Sequence, residues 1–275
     1  MLFRSASLDV TSGAKRNFTA ELLLLQHYLE KLDTPTVTFI PFSNVLHEAR
    51  QFSGSAERIV QSIKDYVLEL GFDGATNLDY NFASLFPADE VFVFTDGIGT
   101  WVDAETEKVA ARRPGKMPAV NVVNSSAIAD YAWLNRIARE NGGVYINLER
   151  GNGKEALNEA SALESLMQEP YRIIRADYDG TAITDVFPLD GSVVSGDFAL
   201  TGKLVRKQGT VTLHFGHGTQ VEQSVMLSLS TADGTYTSHV ARQWATCKIQ
   251  ALGIDYEANR PAIIELSKKF GIVTK

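Results

Sequence analysis

The chain has 275 residues, 44% of them hydrophobic and 21% charged, which is ordinary globular composition and enough for one large or two medium cores. A formal net charge of −7 argues against nucleic acid or an anionic membrane surface as a partner, and is compatible with binding cations. The single cysteine, Cys247, excludes an internal disulfide and a cysteine-based zinc site, and no apolar run reaches the length of a membrane span, so no membrane insertion is expected.

The first residues, Met1 to Leu8, are too short for a signal peptide with a cleavage site and read as a strand that begins almost at once. The last, Phe270-Gly271-Ile272-Val273-Thr274-Lys275, close on an apolar segment, which suggests a piece of a longer protein whose targeting signals lie elsewhere. After the first strand come Asp9-Val10-Thr11-Ser12-Gly13 and a helix from about Lys15 to Leu32, with Phe18, Leu22, Leu25, Leu29 and Leu32 forming a core-facing stripe. Asp33-Thr34-Pro35 stops it. Residues 37–44 form the next strand, whose Pro41 implies an irregular end or a sheet edge. A second amphipathic helix runs from roughly Ser55 to Leu70, with Ile59, Ile63, Val67 and Leu70 on one side and Gly71 at its end. A polar loop over 72–79 and a short helix into Phe86 and Pro87 follow.

Glu90-Val91-Phe92-Val93-Phe94 is a continuous apolar run of β-formers, the mark of a strand covered on both faces. It ends in Thr95-Asp96-Gly97, which taken alone is an ordinary turn. Residues 99–118 read as an exposed excursion containing Arg112, Arg113 and Lys116. Strand 119–123, a helix near 129–141, the turn Asn141-Gly142-Gly143 and strand 144–148 complete an alternation of strands and helices. Such alternation predicts an α/β fold with a doubly wound, mostly parallel sheet over residues 1–168. Gly151-Asn152-Gly153-Lys154 lacks the grammar of a phosphate loop and reads as linker.

On a parallel sheet, Asp9, Thr11 and Ser12 after the first strand, Thr76 in a connecting loop and Asp96 after the central strand would meet at the carboxyl edge, where open α/β sheets bind ligands. Carboxylates and hydroxyls form a hard oxygen set suited to Mg²⁺ or Mn²⁺ rather than zinc. Here the sequence resembles the von Willebrand factor A-type domain. Asp9-Val10-Thr11-Ser12-Gly13 stands at the family's Asp-x-Ser-x-Ser, Gly74-Ala75-Thr76-Asn77 at its threonine loop, and Thr95-Asp96-Gly97 at its third motif. The segments from Trp133 to Ala138 and from Asn141 to Tyr145 are similar to the family's last helix and strand. The resemblance implies a metal-ion-dependent adhesion site holding Mg²⁺, Mn²⁺ or Ca²⁺ through Asp9, Thr11, Ser12, Thr76 and Asp96. It implies binding of a protein ligand through an acidic side chain, with no catalytic step, in a secreted, cell-surface or periplasmic protein. Gly13 departs from the pattern by removing one hydroxyl. Either a water replaces that ligand, or the site is vestigial in a structural scaffold, with Asp9 and Thr76 bonded to each other.

From Glu169 onward, short strand-like runs at 171–176, 181–187, 198–204, 209–215 and 220–230 alternate with glycine and aspartate turns, which predicts a small antiparallel β-sandwich module over 169–275. Two C-terminal helices follow, at 238–252 with Val240, Trp244, Ile249 and Leu252, and at 260–270. Ala241-Arg242-Gln243-Trp244-Ala245 and the run from Ile263 to Thr274 are similar to the region after the A-type domain in inter-alpha-trypsin inhibitor heavy chains. Asp177-Tyr178-Asp179-Gly180-Thr181 resembles the first motif of haloacid-dehalogenase-type Mg²⁺ phosphohydrolases, with Asp177 as nucleophile and Asp179 as general acid. That fold needs a parallel sheet after the motif, whereas Asp179-Gly180 fits a hairpin turn. His214 and His217 read as a solvated pair, and Cys247 as a buried small hydrophobe.

Overall fold

Val91, Val93, Val120, Val122, Phe39 and Ile40 are each no more than 1% exposed, the burial that continuous β-forming runs acquire when both faces of a sheet are covered. The computed structural model describes residues 2–5, 17–70, 76–80, 82–83, 87–99, 118–148, 158–194, 197–218, 220–235, 237–253 and 256–273. The chain divides into two units, 1–168 and 169–275.

In the first unit the elements run β1 (Leu2–Ser5), α1 (Phe18–Leu29), β2 (Thr36–Phe42), β3 (Arg50–Ser53), α2 (Ala56–Leu70), β4 (Glu90–Phe94), β5 (Ala119–Asn124), α3 (Tyr131–Glu140), β6 (Tyr145–Asn147) and α4 (Glu159–Met167). They build a mixed α/β unit on a six-stranded sheet of order β3-β2-β1-β4-β5-β6. All neighbours pair in parallel except β3, which runs antiparallel to β2 at the edge. One apolar cluster packs α1, α2 and α4 against Phe39, Phe92, Phe94, Val123 and Ile146. The other packs α3 and Phe82 against Ile40, Phe42, Val91, Val93, Val120 and Val122. Successive residues of a strand thus feed opposite clusters, as the two-residue period requires.

Several expectations are corrected here. Leu32 is 38% exposed, because α1 ends at Leu29 and the chain continues in a tightened turn, Lys31 N–H to Tyr28 O and Leu32 N–H to Leu29 O, that rotates Leu32 off the stripe. Glu21 and Leu24 take buried places on that face instead. Of the two readings of Pro41 the sheet edge is excluded, since β2 lies between β1 and β3, and the strand end is what the structure has, one residue before β2 closes at Phe42. The proline is tolerated because β3 pairs only with Thr36 to Phe39, so no ladder partner on that side needs its missing N–H. The edge strand β3 and the helix α4 had no counterpart in the sequence reading. The helix expected ahead of Phe86 falls largely outside the described residues, with Phe82 and Ala83 in a turn.

The second unit comprises β7 (Tyr171–Tyr178), β8 (Ile183–Phe187), β9 (Thr201–Leu204), β10 (Gln208–His217), β11 (Gln223–Ser230), α5 (Ser238–Leu252) and α6 (Tyr256–Phe270). Its two sheets, β11-β10-β7 and β8-β9, are both antiparallel. They share one apolar cluster of Ile173, Ile183, Val186, Val211, Leu213 and Phe215. Asp179-Gly180 is not a hairpin turn, because β7 and β8 belong to different sheets. α5 is fixed by Trp244 Nε1–H donating to the Asp185 carbonyl at 3.2 Å and by the Lys248 ammonium 2.5 Å from the Asp185 carboxylate. Val240, expected on the apolar face, is 57% exposed.

Candidate functional site

Strands β1 and β2 lie on one side of the sheet and β4 and β5 on the other, so the strand order reverses between β1 and β4. That is the topological switch point of the sheet, the place where such folds open a crevice. Thr95, Asp96 and Gly97 follow β4 directly into it. Thr95 N–H donates to the Val123 carbonyl at 3.1 Å and Thr95 Oγ1 accepts Gly97 N–H at 3.1 Å, which tightens the turn. Gly97 has φ +73°, a left-handed conformation that suits a residue without Cβ. Asp96 is 7% exposed. Its Oδ1 accepts Ile98 N–H at 3.0 Å, and its carbonyl accepts Asp130 N–H at 2.8 Å. Asp130 in turn caps α3 by accepting Trp133 N–H at 3.0 Å, so the helix start and the Asp96 turn are one hydrogen-bonded unit.

Thr76 and Asn77 are fully buried in the loop beside the end of β2, where Asn77 N–H donates to the Ser43 carbonyl at 2.8 Å and Asn77 Oδ1 accepts Asp79 N–H at 2.9 Å. This loop touches the one after β4. A methyl group added at Gly99 would lie 3.5 Å from Leu78 Cδ1 and 3.9 Å from the Thr76 carbonyl oxygen. The structure therefore brings the loops of Thr76 and Asp96 together at the carboxyl edge. Asp9, Thr11 and Ser12 lie outside the described residues, as do Gly13 and the Arg112–Lys116 excursion.

The same edge carries buried polar groups that sequence reasoning did not single out. Ser125, directly after β5, accepts Asn17 N–H at 3.0 Å and donates from Oγ to Glu21 Oε1 at 2.6 Å, which ties the first turn of α1 to the end of β5. Asn17 also caps α1 through Ala20 N–H. Asn124 holds the next turn by accepting Ser126 N–H at 2.9 Å and donating to the Ser126 carbonyl at 3.0 Å. A signal existed: Asn124-Ser125-Ser126 repeats the pattern of an apolar strand breaking into hydroxyl and amide residues. Among the described residues, no three His, Cys, Asp or Glu side chains cluster as metal ligands. A carboxylate with hydroxyls is a hard-cation donor set, and Asp96 and Thr76 are one of each.

The other candidates stand apart, in the second unit. Asp177, at the exposed end of β7, shares one carboxylate oxygen between Arg175 Nε at 3.1 Å and His214 Nε2 at 2.9 Å. Its partial desolvation pushes the carboxyl up, but the bonds from His214 and Arg175 outweigh it and hold it below the usual carboxylate range. Asp179 is held low by Thr181, whose backbone N–H and hydroxyl both donate to it at 2.8 Å. His214 and His217 do not form a pair. Each has its own acidic neighbour, Asp177 for His214 and Glu222 for His217 at 2.8 Å, while His214 Nδ1 lies 2.8 Å from Ser224 Oγ. The Cys247 thiol is only partly buried, and that burial pushes it up, away from the thiolate a nucleophile needs.

No protein-family model matches the sequence, and no curated protein matches it. Among solved structures, a von Willebrand factor type A protein from Catenulispora acidiphila aligns over 98% of this chain and 79% of its own, with 12% identity and a TM-score of 0.43.

Proposed function

We propose that the first unit is a protein-interaction module of the von Willebrand factor A type, which binds an acidic side chain of a partner through a divalent cation at the switch point. Asp9, Thr11, Ser12, Thr76 and Asp96 are the residues that would hold the cation, and a bound Mg²⁺ or Mn²⁺ would supply the positive charge that a partner carboxylate completes. The observation that carries this reading is the meeting of two loops, one with Thr76 at 0% exposure and one with Asp96 at 7%, beside the strand ends where open sheets bind ligands. The order of the three motifs along the chain supports it independently. Adhesion of this kind needs no bond to be broken, so the proposal is a binding protein rather than an enzyme, in a secreted, cell-surface or periplasmic setting. The second unit, similar in sequence pattern to the region that follows the A-type domain in inter-alpha-trypsin inhibitor heavy chains, is its companion module.

Calorimetric titration with Mg²⁺ and with Mn²⁺ tests the proposal. The wild-type chain should bind, and both Asp96→Ala and Thr76→Val should lose binding while retaining amide-exchange protection in β4 and β5. Failure of the wild type to bind either ion, or binding that survives Asp96→Ala, overturns it.

A further inference from the structure

The three-stranded sheet of the second unit has two edges that differ in kind. The β7 edge is covered: Ile173 N–H donates to the Ser192 carbonyl at 3.0 Å, Gly191 N–H to the Ile173 carbonyl at 2.7 Å, and Val194 N–H to the Tyr171 carbonyl at 2.8 Å. The β7 strand also carries Arg172, Arg175 and Asp177. The opposite edge is β11, eight residues reading Gln-Ser-Val-Met-Leu-Ser-Leu-Ser, with no charge and no proline. Natural edge strands are normally shortened, bulged, or guarded by charge and proline, because an unguarded one is a template for another strand.

The direction of the open backbone groups follows from the ladder. Register places Gln208 opposite Ser230, and beyond that pair Thr231 N–H donates to the Lys207 carbonyl at 2.9 Å. Hydrogen-bonded and non-bonded pairs alternate in an antiparallel ladder, so Leu229, Leu227 and Val225 bond inward to β10, and Ser228, Met226 and Ser224 turn their N–H and C=O outward. Ser230 also turns out, and its carbonyl is taken by Asp233 N–H at 3.3 Å. No described residue bonds to the outward backbone of Ser224, Met226 or Ser228. Met226 is 71% exposed on the outer face.

We propose that β11 is a pairing edge that takes β11 of a second copy of this chain, antiparallel, about a twofold axis at Met226. In that register Met226 faces Met226 of the other copy and Ser224 faces Ser228, so each open outward residue meets an open outward residue. On the opposite face Val225 meets Leu227, which extends the apolar face of the sheet, and Glu222 falls opposite Ser230 with no like charges facing. The two three-stranded sheets become one of six strands. A twofold contact must be self-complementary, and this one is in hydrogen bonding, polarity and charge.

Light scattering behind size exclusion, on the full chain over a wide concentration range, gives the test. Wild type should dimerise reversibly, with amide protection at Ser224, Met226 and Ser228 that fades on dilution. Met226→Lys and Met226→Glu, both at an exposed side chain, should each raise the dissociation constant about tenfold or more by setting like charges opposite each other. Mixing the two variants should restore a mixed dimer. Met226→Pro, which deletes an outward N–H and none of the β10 ladder, should be monomeric yet folded. A wild-type chain that is monomeric throughout, or a dimer indifferent to the lysine and proline variants, overturns the proposal.

Discussion

Gly97→Ala probes whether the turn that carries Asp96 is held as described. Two separate costs are readable from the structure. Gly97 has φ +73°, and an L-residue placed there gives up about 1–2 kcal/mol. Its new Cβ would stand 3.0 Å from Leu134 Cγ and 3.2 Å from the Asp130 carbonyl oxygen. Neither neighbour yields readily: Leu134 is 0% exposed, and the Asp130 carbonyl accepts Leu134 N–H at 3.0 Å to start α3. Crowding of this sort in a packed site costs about 1–3 kcal/mol. The control is Gly142→Ala, at φ +68° with nothing within 4 Å of the added carbon, which incurs only the conformational part, offset in part by the stiffer unfolded chain. Urea unfolding followed by amide exchange in β4 and β5 should therefore show Gly97→Ala less stable than Gly142→Ala by about 1–3 kcal/mol. Equal losses in the two variants would refute the contact between the Asp96 turn and α3.

Asp130→Ala removes the cap of α3 while keeping the backbone bond to Asp96; chemical denaturation should show a loss of about 1 kcal/mol, and Asp130→Asn should recover most of it. Tyr28 donates its hydroxyl to the Glu90 carboxylate, which Asn121 Nδ2 also supports at 2.5 Å, and burial first and Glu90 second push the phenol above its ordinary value of 10.0. A raised phenol adds stability that is complete below pH 10 and is lost as pH climbs through the folded value, so the stability gap between wild type and Tyr28→Phe should be widest near neutrality and shrink above pH 10 in parallel denaturation curves.

Much of the first unit was legible because its interior strands are covered twice. Val91 to Phe94 feed one cluster with odd residues and another with even ones, which leaves an unbroken apolar run that a sequence displays openly, and Val120, Val122 and Val123 divide in the same way around the polar Asn121. Strand β3 left no such trace. Of Arg50-Gln51-Phe52-Ser53 only Phe52 is an apolar residue packed on a core, with the Arg50 guanidinium 3.6 Å from the Tyr66 ring centroid, and the rest of the strand is held through backbone bonds to β2 that any sequence can supply. In α4 only Ala162 and Leu166 are buried, too short a stripe to stand out, although the Asn158 cap with Glu159 in the first turn is a start signal. At the site, Thr95-Asp96-Gly97 was conspicuous because it interrupts an apolar run, whereas Glu21 was hidden as a charged residue inside a helix stripe, its carboxylate bonded by the Ser125 hydroxyl from a distant strand.

The topology explains why the polar residues proposed to act together are dispersed along the chain. A switch point exists only where the chain winds outward in both directions, so the loops that border it belong to strands from the two halves of the winding. β1 is the start of one half and β4 the start of the other, and the segments between them must be spent on β2, β3 and their helices before β4 can return beside β1. Carboxylates that hold one cation across that crevice, as proposed for Asp9 and Asp96, would therefore come from distant parts of the sequence. The turns must instead be fixed separately: Thr95 and Asp130 fix the turn of Asp96, Ser43 holds the loop of Thr76, and Ser125 anchors the start of α1, each through bonds to backbone.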